Sequence, residues 1–592
     1  MLESTQKNNR RRWLAPLLLA PGWLVARWCF ALCALWPDAP HSWPLWPAAL
    51  ALATGWFCFF NVTERRARRL ACLFSIPCAL AQLIGRQYDA SRTLGGPMIA
   101  LQCLGCALFL GLALAGPLAA LLRALARRET TEPSSARSEW GMTALCVLAL
   151  MLMWQPVHMA YYPGLGEYDS GYQLWQSWNH SYDASNPLLH TFILGRFYLI
   201  GEQIATATIG ISAFCVVQRL FMAGCVSYAL RVVRRAGAPR GWMIASLLFF
   251  GLLPVFPMMA ISCTKDVPYY AATLAQLAMI FDGLRGNRRR FYWPRLILIT
   301  AFAALMRANA LPFMFLLAPL CFPLWRERPL RKRFIAAITA GVALAWGVNA
   351  ALIAINHAAR PVLRESLSVP IIQLARVSDT HEEAAADFSE NHADMIAMPL
   401  AYIPYVADLA KWSFEVDASN IGEFAALWAK YLARFPGDYL DALLMVNRGY
   451  WYVADTTFAR VYGDAPELRT GVIPSRVSQN IATIIENSRL PALKAHLERL
   501  YSGNAYLNIP IYRRLLSPAL YVWTILFALI AAIYRERHDI HLIARHAVLL
   551  LVALLLGPCC ILRYALLFMM LAPIMLGMLL TTSPNNHKEY SF

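Results

Sequence analysis

The sequence predicts an all-α polytopic membrane protein that carries a mostly helical extracytoplasmic domain. Of its 592 residues, 58% are hydrophobic and only 15% are charged, whereas soluble proteins carry about 25% charged residues. Long apolar runs recur from residue 14 to residue 580, and one long polar segment interrupts them. These observations exclude a soluble globular protein, a disordered chain and a small disulfide-stapled domain.

About 14 membrane spans are predicted, because a spanning helix needs about 20 largely apolar residues. The first apolar run is long and other spans follow it, so it is predicted to be a span and not a cleaved signal. The predicted spans are residues 14–36, 44–62, 70–86, 97–122, 141–159, 204–232, 242–261, 267–283, 295–308, 310–325, 334–356, 516–534, 541–558 and 563–580.

Basic clusters set the orientation of these spans. Each cluster lies at the N-terminus or follows an even-numbered span, so all of them fall on one side of the membrane. The positive-inside rule makes that side cytoplasmic, which places both termini in the cytoplasm and residues 357–515 outside it. The clusters are residues 10–12, 65–69, 123–128, 231–235, 285–290, 326–333 and 535–537.

The chain divides into four predicted regions. Residues 1–140 form a four-span region with cytoplasmic basic loops, and residues 141–356 form a membrane module with an outward acidic loop at 160–190. Residues 357–515 form the extracytoplasmic domain, and residues 516–592 form the last spans with a short cytoplasmic tail. The outer domain holds 15 Lys and Arg against 18 Asp and Glu, while the rest of the chain carries +21. The positive charge therefore belongs to the cytoplasmic loops, and no nucleic-acid partner is expected.

The outward acidic loop is the first candidate site. Glu167 and Asp169 stand two residues apart among aromatic residues, and His190 follows them. A carboxylate that is partly desolvated at the membrane surface gains proton affinity and suits a general base. Neighbouring aromatic faces suit a sugar or a lipid headgroup. A solvated loop with interfacial Trp and Tyr anchors would give the same pattern.

Cationic side chains at the membrane edge form a second set of candidates. Lys265 can hold a lipid phosphate as a point charge, although the segment around it also fits an ordinary helix start with Asp266 in the first turn. Arg307 and Arg563 interrupt apolar runs, and a charge there needs a partner or a route to the membrane surface. All three cations are candidate phosphate ligands.

The outer domain contributes an aromatic run that ends in Trp451 and Tyr452. Such a run can stack against a sugar, and it can equally pack onto the membrane surface. The sequence contains no P-loop, no nucleophile elbow, no H-E-x-x-H and no dinucleotide fingerprint. An ATPase motor is therefore excluded from this chain. The 14 cysteines lie in or beside apolar runs and are predicted to be buried thiols.

These residues together resemble a bacterial membrane-protein family labelled domain of unknown function 6020, which is related to the GT-C membrane glycosyltransferases. The resemblance runs from about residue 154 to residue 573. Asn186 departs from it, because residues 185–187 read Ser-Asn-Pro where the family has Trp-His-Pro. The matching residues are Tyr162-Pro163-Gly164, Asp169-Ser170, Gln173, Pro187, His190-Thr191, Thr264-Lys265-Asp266, Arg307, Asn309, Ser368-Val369-Pro370, Gln373, Ala375-Arg376-Val377, Asp408, Lys411, Pro436, Asp438-Tyr439-Leu440, Gly449-Tyr450-Trp451-Tyr452 and Arg563-Tyr564.

The resemblance implies an inverting transfer in a bacterial cytoplasmic membrane, from a polyprenyl-phosphate sugar to an envelope glycan or lipid acceptor. Asp169 would act as the base, with Glu167 as the other acid of the pair and His190 orienting the carboxylate or the acceptor. Lys265, Arg307 and Arg563 would hold the lipid phosphate. The expected substrate contacts are Gln173, Asp266, Trp451 and Tyr452, with Asp266 paired to Lys265. Some GT-C enzymes use a divalent cation, so the metal requirement stays open.

Two other functions fit the same sequence. A transporter or flippase for a lipid-linked or envelope substrate would also use charged residues inside the membrane, and it would depend on Arg27, Glu202 and Asn349. A non-catalytic assembly factor would bind envelope glycans through the outer domain. Intolerance to substitution at Asp169 would favour the enzyme.

Overall fold

The computed structural model describes residues 46–91, 93–94, 97–127, 139–166, 168–307, 328–457 and 487–581. Within these ranges the chain is helical and forms no β-strand, only isolated bridges between loops. Predicted spans 14–36 and 310–325 lie outside the described residues.

The helices of the membrane region up to residue 355 come first in the chain. They are α1 (Trp46–Asn61), α2 (Arg65–Ser91), α3 (Pro97–Arg127), α4 (Glu139–Ala160), α5 (Tyr168–Asn179), α6 (Leu188–Ile204), α7 (Ala207–Arg235), α8 (Arg240–Leu252), α9 (Val255–Ala260), α10 (Asp266–Leu284), α11 (Tyr292–Leu305) and α12 (Arg328–Ile355).

The helices of the outer domain and the C-terminal region follow. They are α13 (Ser368–Thr380), α14 (Glu382–Asn391), α15 (Asp408–Lys411), α16 (Ile421–Arg434), α17 (Pro436–Val446), α18 (Arg448–Trp451), α19 (Pro491–Tyr501), α20 (Pro510–Leu515), α21 (Pro518–Tyr534), α22 (His538–Leu555) and α23 (Leu562–Leu579), with 3-10 turns at Leu363–Ser366 and Ser502–Asn508.

Seven of the described helices are long and apolar enough to cross a membrane, namely α2, α3, α4, α7, α12, α22 and α23. Shorter apolar helices, α8, α11 and α21, accompany them. The predicted span 242–261 is divided into α8 and α9 at Pro254, because proline has no backbone N–H to continue the helical ladder. The structure therefore shows a polytopic helical protein with seven clear candidate spans among the described residues.

Helix α10 lies at the centre of the bundle. Every residue of α10 except Met279 is buried, because α7, α11, α22 and α23 all pack against it. Its 19 residues span about 28 Å at 1.5 Å per residue, close to the ~30 Å thickness of a bilayer core. The two ends of α10 therefore mark two opposite ends of the bundle.

Basic clusters meet at the end of the bundle where α10 finishes. Arg285 pairs with Asp539 at 3.2 Å, and Arg537 forms an ion pair with the same carboxylate at 2.8 Å. Arg66 pairs with Glu536, the neighbour of Arg537, at 2.6 Å. Three clusters that are far apart in the sequence thus share one end of the molecule.

The outer domain packs against the opposite end. Helices α13, α14, α16 and α17 enclose their own apolar core, and the loop before α15 joins this core to the loop that precedes α23. There the Ala407 N–H donates to the Pro558 carbonyl at 2.8 Å, and Val406 bridges Cys559. This contact brings the outer domain beside the first residues of α10 and α23.

Candidate functional site

Two loops at the end of the bundle where α10 begins are joined by backbone hydrogen bonds. The Leu165 N–H donates to the Ile261 carbonyl at 3.0 Å, and the Cys263 N–H donates back to the Leu165 carbonyl at 2.9 Å. Gly164 is required here, because a Cβ on it would lie 2.4 Å from the Cys215 sulfur. The junction holds the start of α5 next to the start of α10, and so brings Asp169 to Lys265.

Five charged side chains meet at this place, and the two acids and the lysine come from the two helix starts. Lys265 Nζ donates to Asp169 Oδ2 at 2.8 Å. Arg307 Nη1 donates to Asp266 Oδ1 at 3.0 Å. Arg563 links the two acids, with Nη1 lying 3.6 Å from Asp169 Oδ2 and Nε lying 3.4 Å from Asp266 Oδ2. We call these five residues the charge cluster.

The charge cluster has an open front and a buried back. The side chains of Asp169, Lys265 and Arg307 keep 27%, 17% and 19% of their surface exposed. Behind them, Asp266 is fully buried and Arg563 is nearly so. A ligand can therefore reach one carboxylate and two cations, while the rear pair fixes their positions.

Aromatic rings surround the Arg307 guanidinium. Its central carbon lies 5.6 Å from the ring centres of Tyr269 and Tyr270 and 5.0 Å from that of Tyr564. It also donates to the Tyr270 hydroxyl. Such rings stabilise a cation that has lost part of its water, so Arg307 stays charged in this position.

The cations determine the protonation of Asp169. Burial opposes ionisation of this carboxyl, but the charges of Lys265 and Arg563 outweigh burial and lower its pKa to about 2. Three cations and two carboxylates leave the charge cluster with a net charge of +1 when all five are ionised. The cluster is therefore suited to an anion.

His190 lies beside the charge cluster on α6. Its Nδ1 is 3.1 Å from Gln173 Oε1, and the Gln173 amide nitrogen donates to Thr191 Oγ1 at 2.9 Å. Asp169 and Gln173 are four residues apart on α5 and so share one face of that helix. Burial and the charge of Lys265 lower the pKa of His190 to about 3, so the ring is neutral at pH 7.

Asn186 also belongs to the site, because its Oδ1 accepts a hydrogen bond from Lys265. The sequence alone did not assign it a role, since it departs from the family pattern. The three tyrosines around Arg307 were likewise missed, although Tyr269 and Tyr270 follow Asp266 by about one helical turn, and this spacing could have indicated them.

The expected pairing of Lys265 with Asp266 is wrong. Asp266 pairs with Arg307 and Arg563 instead. Consecutive residues at a helix start project in different directions and do not face each other. Lys265 consequently turns towards α5, and Asp266 turns into the bundle.

Trp451 and Tyr452 lie against α2. The Tyr452 hydroxyl donates to Asp89 Oδ2 at 2.7 Å, and the Trp451 carbonyl accepts from Gln82 Nε2 at 3.0 Å. Tyr452 is buried by this contact. The structure therefore places both aromatic residues in a packed interface with the N-terminal region. Asp408, by contrast, accepts a hydrogen bond from Lys411 Nζ at 2.9 Å within the outer domain.

The described side chains around Asp169 do not fit a divalent cation. Lys265 and Arg563 already occupy the space near its carboxylate, and their charge opposes another cation. In the described part of the chain, no group of three His, Cys, Asp or Glu side chains is placed to hold a metal ion. Glu167 and Asn309 lie outside the described residues.

A family model described as "Family of unknown function (DUF6020)" matches residues 153–591, a range that contains the whole charge cluster. No curated protein and no solved structure matches the chain significantly.

Proposed function

The chain belongs to the DUF6020 family of unknown function, and from this premise we propose that it is a membrane glycosyltransferase with a GT-C-like core. It transfers a sugar from a polyprenyl-phosphate donor to an envelope glycan or lipid acceptor outside the cytoplasm. The observation that carries the proposal is the charge cluster, which unites three cations and a reachable carboxylate at the end of the bundle that meets the outer domain.

The cations bind the donor phosphate. A phosphate anion neutralises the net charge of +1, and it can accept hydrogen bonds from Lys265 and Arg307 at the open front. Charge-assisted hydrogen bonds of this kind are about twice as strong as neutral ones. The same groups then stabilise the negative charge that grows on the phosphate oxygen as the glycosidic bond breaks.

Asp169 takes the proton of the acceptor. In the empty site its pKa is about 2 because Lys265 and Arg563 neutralise it. A phosphate anion bound to the same cations offsets their charge, so the pKa of Asp169 rises towards its ordinary range. Donor binding thereby turns a salt-bridged carboxylate into a usable base.

The reaction is a displacement at the anomeric carbon of the donor sugar. The acceptor hydroxyl oxygen forms the new bond to this carbon while the bond to the phosphate oxygen breaks. The electron pair of the broken bond leaves with polyprenyl phosphate, and the acceptor proton passes to Asp169. The configuration at the anomeric carbon inverts.

In the bacterial cytoplasmic membrane the basic end faces the cytoplasm, as the positive-inside rule requires. Both termini lie on that side, about 14 spans cross the bilayer, and residues 357–515 lie outside. The charge cluster at the other end of α10 then reaches the outer leaflet, where a polyprenyl-phosphate headgroup can meet an envelope acceptor.

The test is sugar transfer by purified protein. Wild type and Asp169→Asn receive radiolabelled polyprenyl-phosphate sugars and a crude envelope acceptor fraction, with and without a chelator. Loss of a general base lowers the rate by about 100-fold or more, so label transfer by Asp169→Asn is expected to fall by at least that factor. The chelator lane measures any metal requirement.

Asp387→Asn is a matched control. Asp387 pairs with Lys430 at 2.7 Å in the outer domain, and this contact lowers its pKa to about 2, as at Asp169. The control is expected to transfer label at the wild-type rate. Equal transfer by Asp169→Asn and wild type, with both eluting as single species from a sizing column, would remove Asp169 from the role of base.

A transporter or flippase is the second candidate, and Arg219 favours it. This residue lies inside the apolar helix α7, is 2% exposed, and donates to Gln155 Oε1 at 2.7 Å. Its Nε and Nη1 atoms are buried and have no hydrogen-bond partner among the described residues. A buried charge at such a position often marks a substrate path. Translocation of a labelled lipid-linked sugar in liposomes, without label transfer from any donor, would select this function.

A further inference from the structure

The hydrogen bonds around His190 determine which of its ring nitrogens carries the proton. The Thr191 hydroxyl donates to the Pro187 carbonyl at 3.2 Å, so its oxygen is free to accept from Gln173 Nε2 at 2.9 Å. The Gln173 amide is thereby oriented with Oε1 towards His190 Nδ1, at 3.1 Å. A carbonyl oxygen can only accept, so His190 Nδ1 must donate.

His190 Nε2 is consequently an unprotonated acceptor. It is buried and has no hydrogen-bond partner among the described residues, and the whole residue is 1% exposed. A buried polar atom without a partner costs free energy, and Phe214 packs edge-on against the ring without offering a donor. The ring is bound by Gln173, which lies one helical turn from Asp169 on α5, so it stands beside the charge cluster.

We propose that His190 Nε2 accepts a hydrogen bond from a hydroxyl group of the sugar acceptor and holds that acceptor beside Asp169. This inference rests on the proposed function and adds the atom that binds the acceptor hydroxyl. Two observations support it. Asp169 and Gln173 share one face of α5, and Gln173 Oε1 binds His190 Nδ1.

The unprotonated Nε2 requires a group that donates a proton, as a hydroxyl does. An unprotonated nitrogen cannot bind a carboxylate or a phosphate, because these groups offer no proton at neutral pH. The donor phosphate and the acceptor hydroxyl therefore use separate parts of one site.

The first variant is His190→Asn. Its side-chain nitrogen can still donate to Gln173 Oε1, but it provides no acceptor at the place of Nε2. Loss of one neutral hydrogen bond to the substrate is expected to raise the KM for the acceptor about 10-fold, with the KM for the donor unchanged. His392→Asn is the matched control, because His392 Nδ1 makes a similar 2.8 Å bond to Glu423 in the outer domain.

The second variant, Gln173→Glu, changes the protonation of the ring. The new carboxylate still accepts from Nδ1, and its charge favours the imidazolium form, in which Nε2 becomes a donor. Transfer is expected to fall below about pH 7 and to recover at higher pH, while wild type stays flat. A purely structural role for His190 would give no such pH dependence.

The outcomes separate this inference from the proposed function. No transfer by wild type from any donor overturns the glycosyltransferase itself. Transfer by wild type together with an unchanged acceptor KM in His190→Asn overturns the role of His190 alone. If His190→Asn does not elute as a single species, a wild-type pH profile in Gln173→Glu overturns that role instead.

Discussion

Asp169 and Asp266 are held by the same arginine and yet differ in what they can do. Asp169 keeps 27% of its side chain exposed, whereas Asp266 is fully buried. The exposed carboxylate can meet a substrate and exchange a proton. The buried carboxylate can only hold Arg307 and Arg563 in place. In the proposed reaction, Asp169 therefore exchanges the proton and Asp266 positions the arginines.

The depressed pKa of Asp169 predicts the pH dependence of the proposed sugar transfer. Because Lys265 and Arg563 lower this pKa from 3.8 to about 2, the stabilisation from the ionised group is present above pH 3.8. It is lost only as the pH falls towards 2. We expect kcat/KM, which reports the free enzyme, to show no acid limb from Asp169 between pH 5 and 8. An acid limb in this range that moves in Asp169→Glu would contradict the prediction.

Arg307 is predicted to contribute strongly to stability. Arg307→Met leaves the fully buried Asp266 without its 3.0 Å partner, and breaking a buried ion pair costs about 3–5 kcal/mol. We expect a clear fall in the thermal unfolding midpoint of the detergent-solubilised protein. The control is Lys430→Met, which breaks an exposed pair with Asp387 worth about 1 kcal/mol or less. Equal shifts in the two variants would show that Arg307 has no special structural role.

At the scale of elements, α2 supports the site from outside the matched family region. Tyr88 of α2 donates to Asp441 Oδ1 at 2.6 Å, and Asp89 pairs with Arg448 at the start of α18. Helix α18 in turn packs against the residues before α23, where a Cβ on Gly449 would lie 2.6 Å from the Cys560 sulfur. A continuous line of contacts therefore runs from α2 to the helix that carries Arg563.

Gly85 tests this line of contacts. A Cβ there would lie 2.2 Å from the Tyr452 ring, so Gly85→Ala must push α2 away from α18. Overpacking of this kind costs about 1–3 kcal/mol. We expect faster proteolysis of the outer domain and weaker sugar transfer. Gly105→Ala in α3 is the control, because nothing lies within 4 Å of that position. Unchanged proteolysis in Gly85→Ala would show that α2 does not support the outer domain.

At the scale of the whole molecule, the basic clusters and the charge cluster lie at opposite ends of the helical bundle. The basic clusters meet near Arg285 and Arg537, and the charge cluster lies about 28 Å away at the start of α10. A bilayer core of ~30 Å fits between these two ends. The separation of the two ends therefore agrees with the thickness of a bilayer core.

The orientation can be measured by cysteine labelling in intact cells. Ser389 and Arg289 are exposed on the outer domain and on the basic end, respectively. An impermeant maleimide is expected to label Ser389→Cys in intact cells and Arg289→Cys only after lysis, with wild type as the background control. The reverse result would invert the proposed topology.

Several features could be predicted from the sequence because they depend on local composition. Apolar runs predict helices such as α4, α7 and α23, and the same local reasoning selected Asp169, Lys265 and Arg563 as site candidates. Span counts were less certain, because a proline break such as Pro254 divides a run that hydropathy alone would join. The packing of Trp451 and Tyr452 against α2 could not be predicted from the sequence, because their partners there are more than 350 residues away.

The sequence by itself determined that this is a polytopic helical membrane protein with clusters of basic residues between its apolar runs. Hydropathy and charge are properties of each segment, so they can be evaluated without knowledge of the fold. Only the tertiary structure decided that Lys265 neutralises Asp169 and that Asp266 serves Arg307 and Arg563. Those pairings depend on how three distant parts of the chain pack around one helix, and electrostatic interactions act over distances in space and not along the sequence.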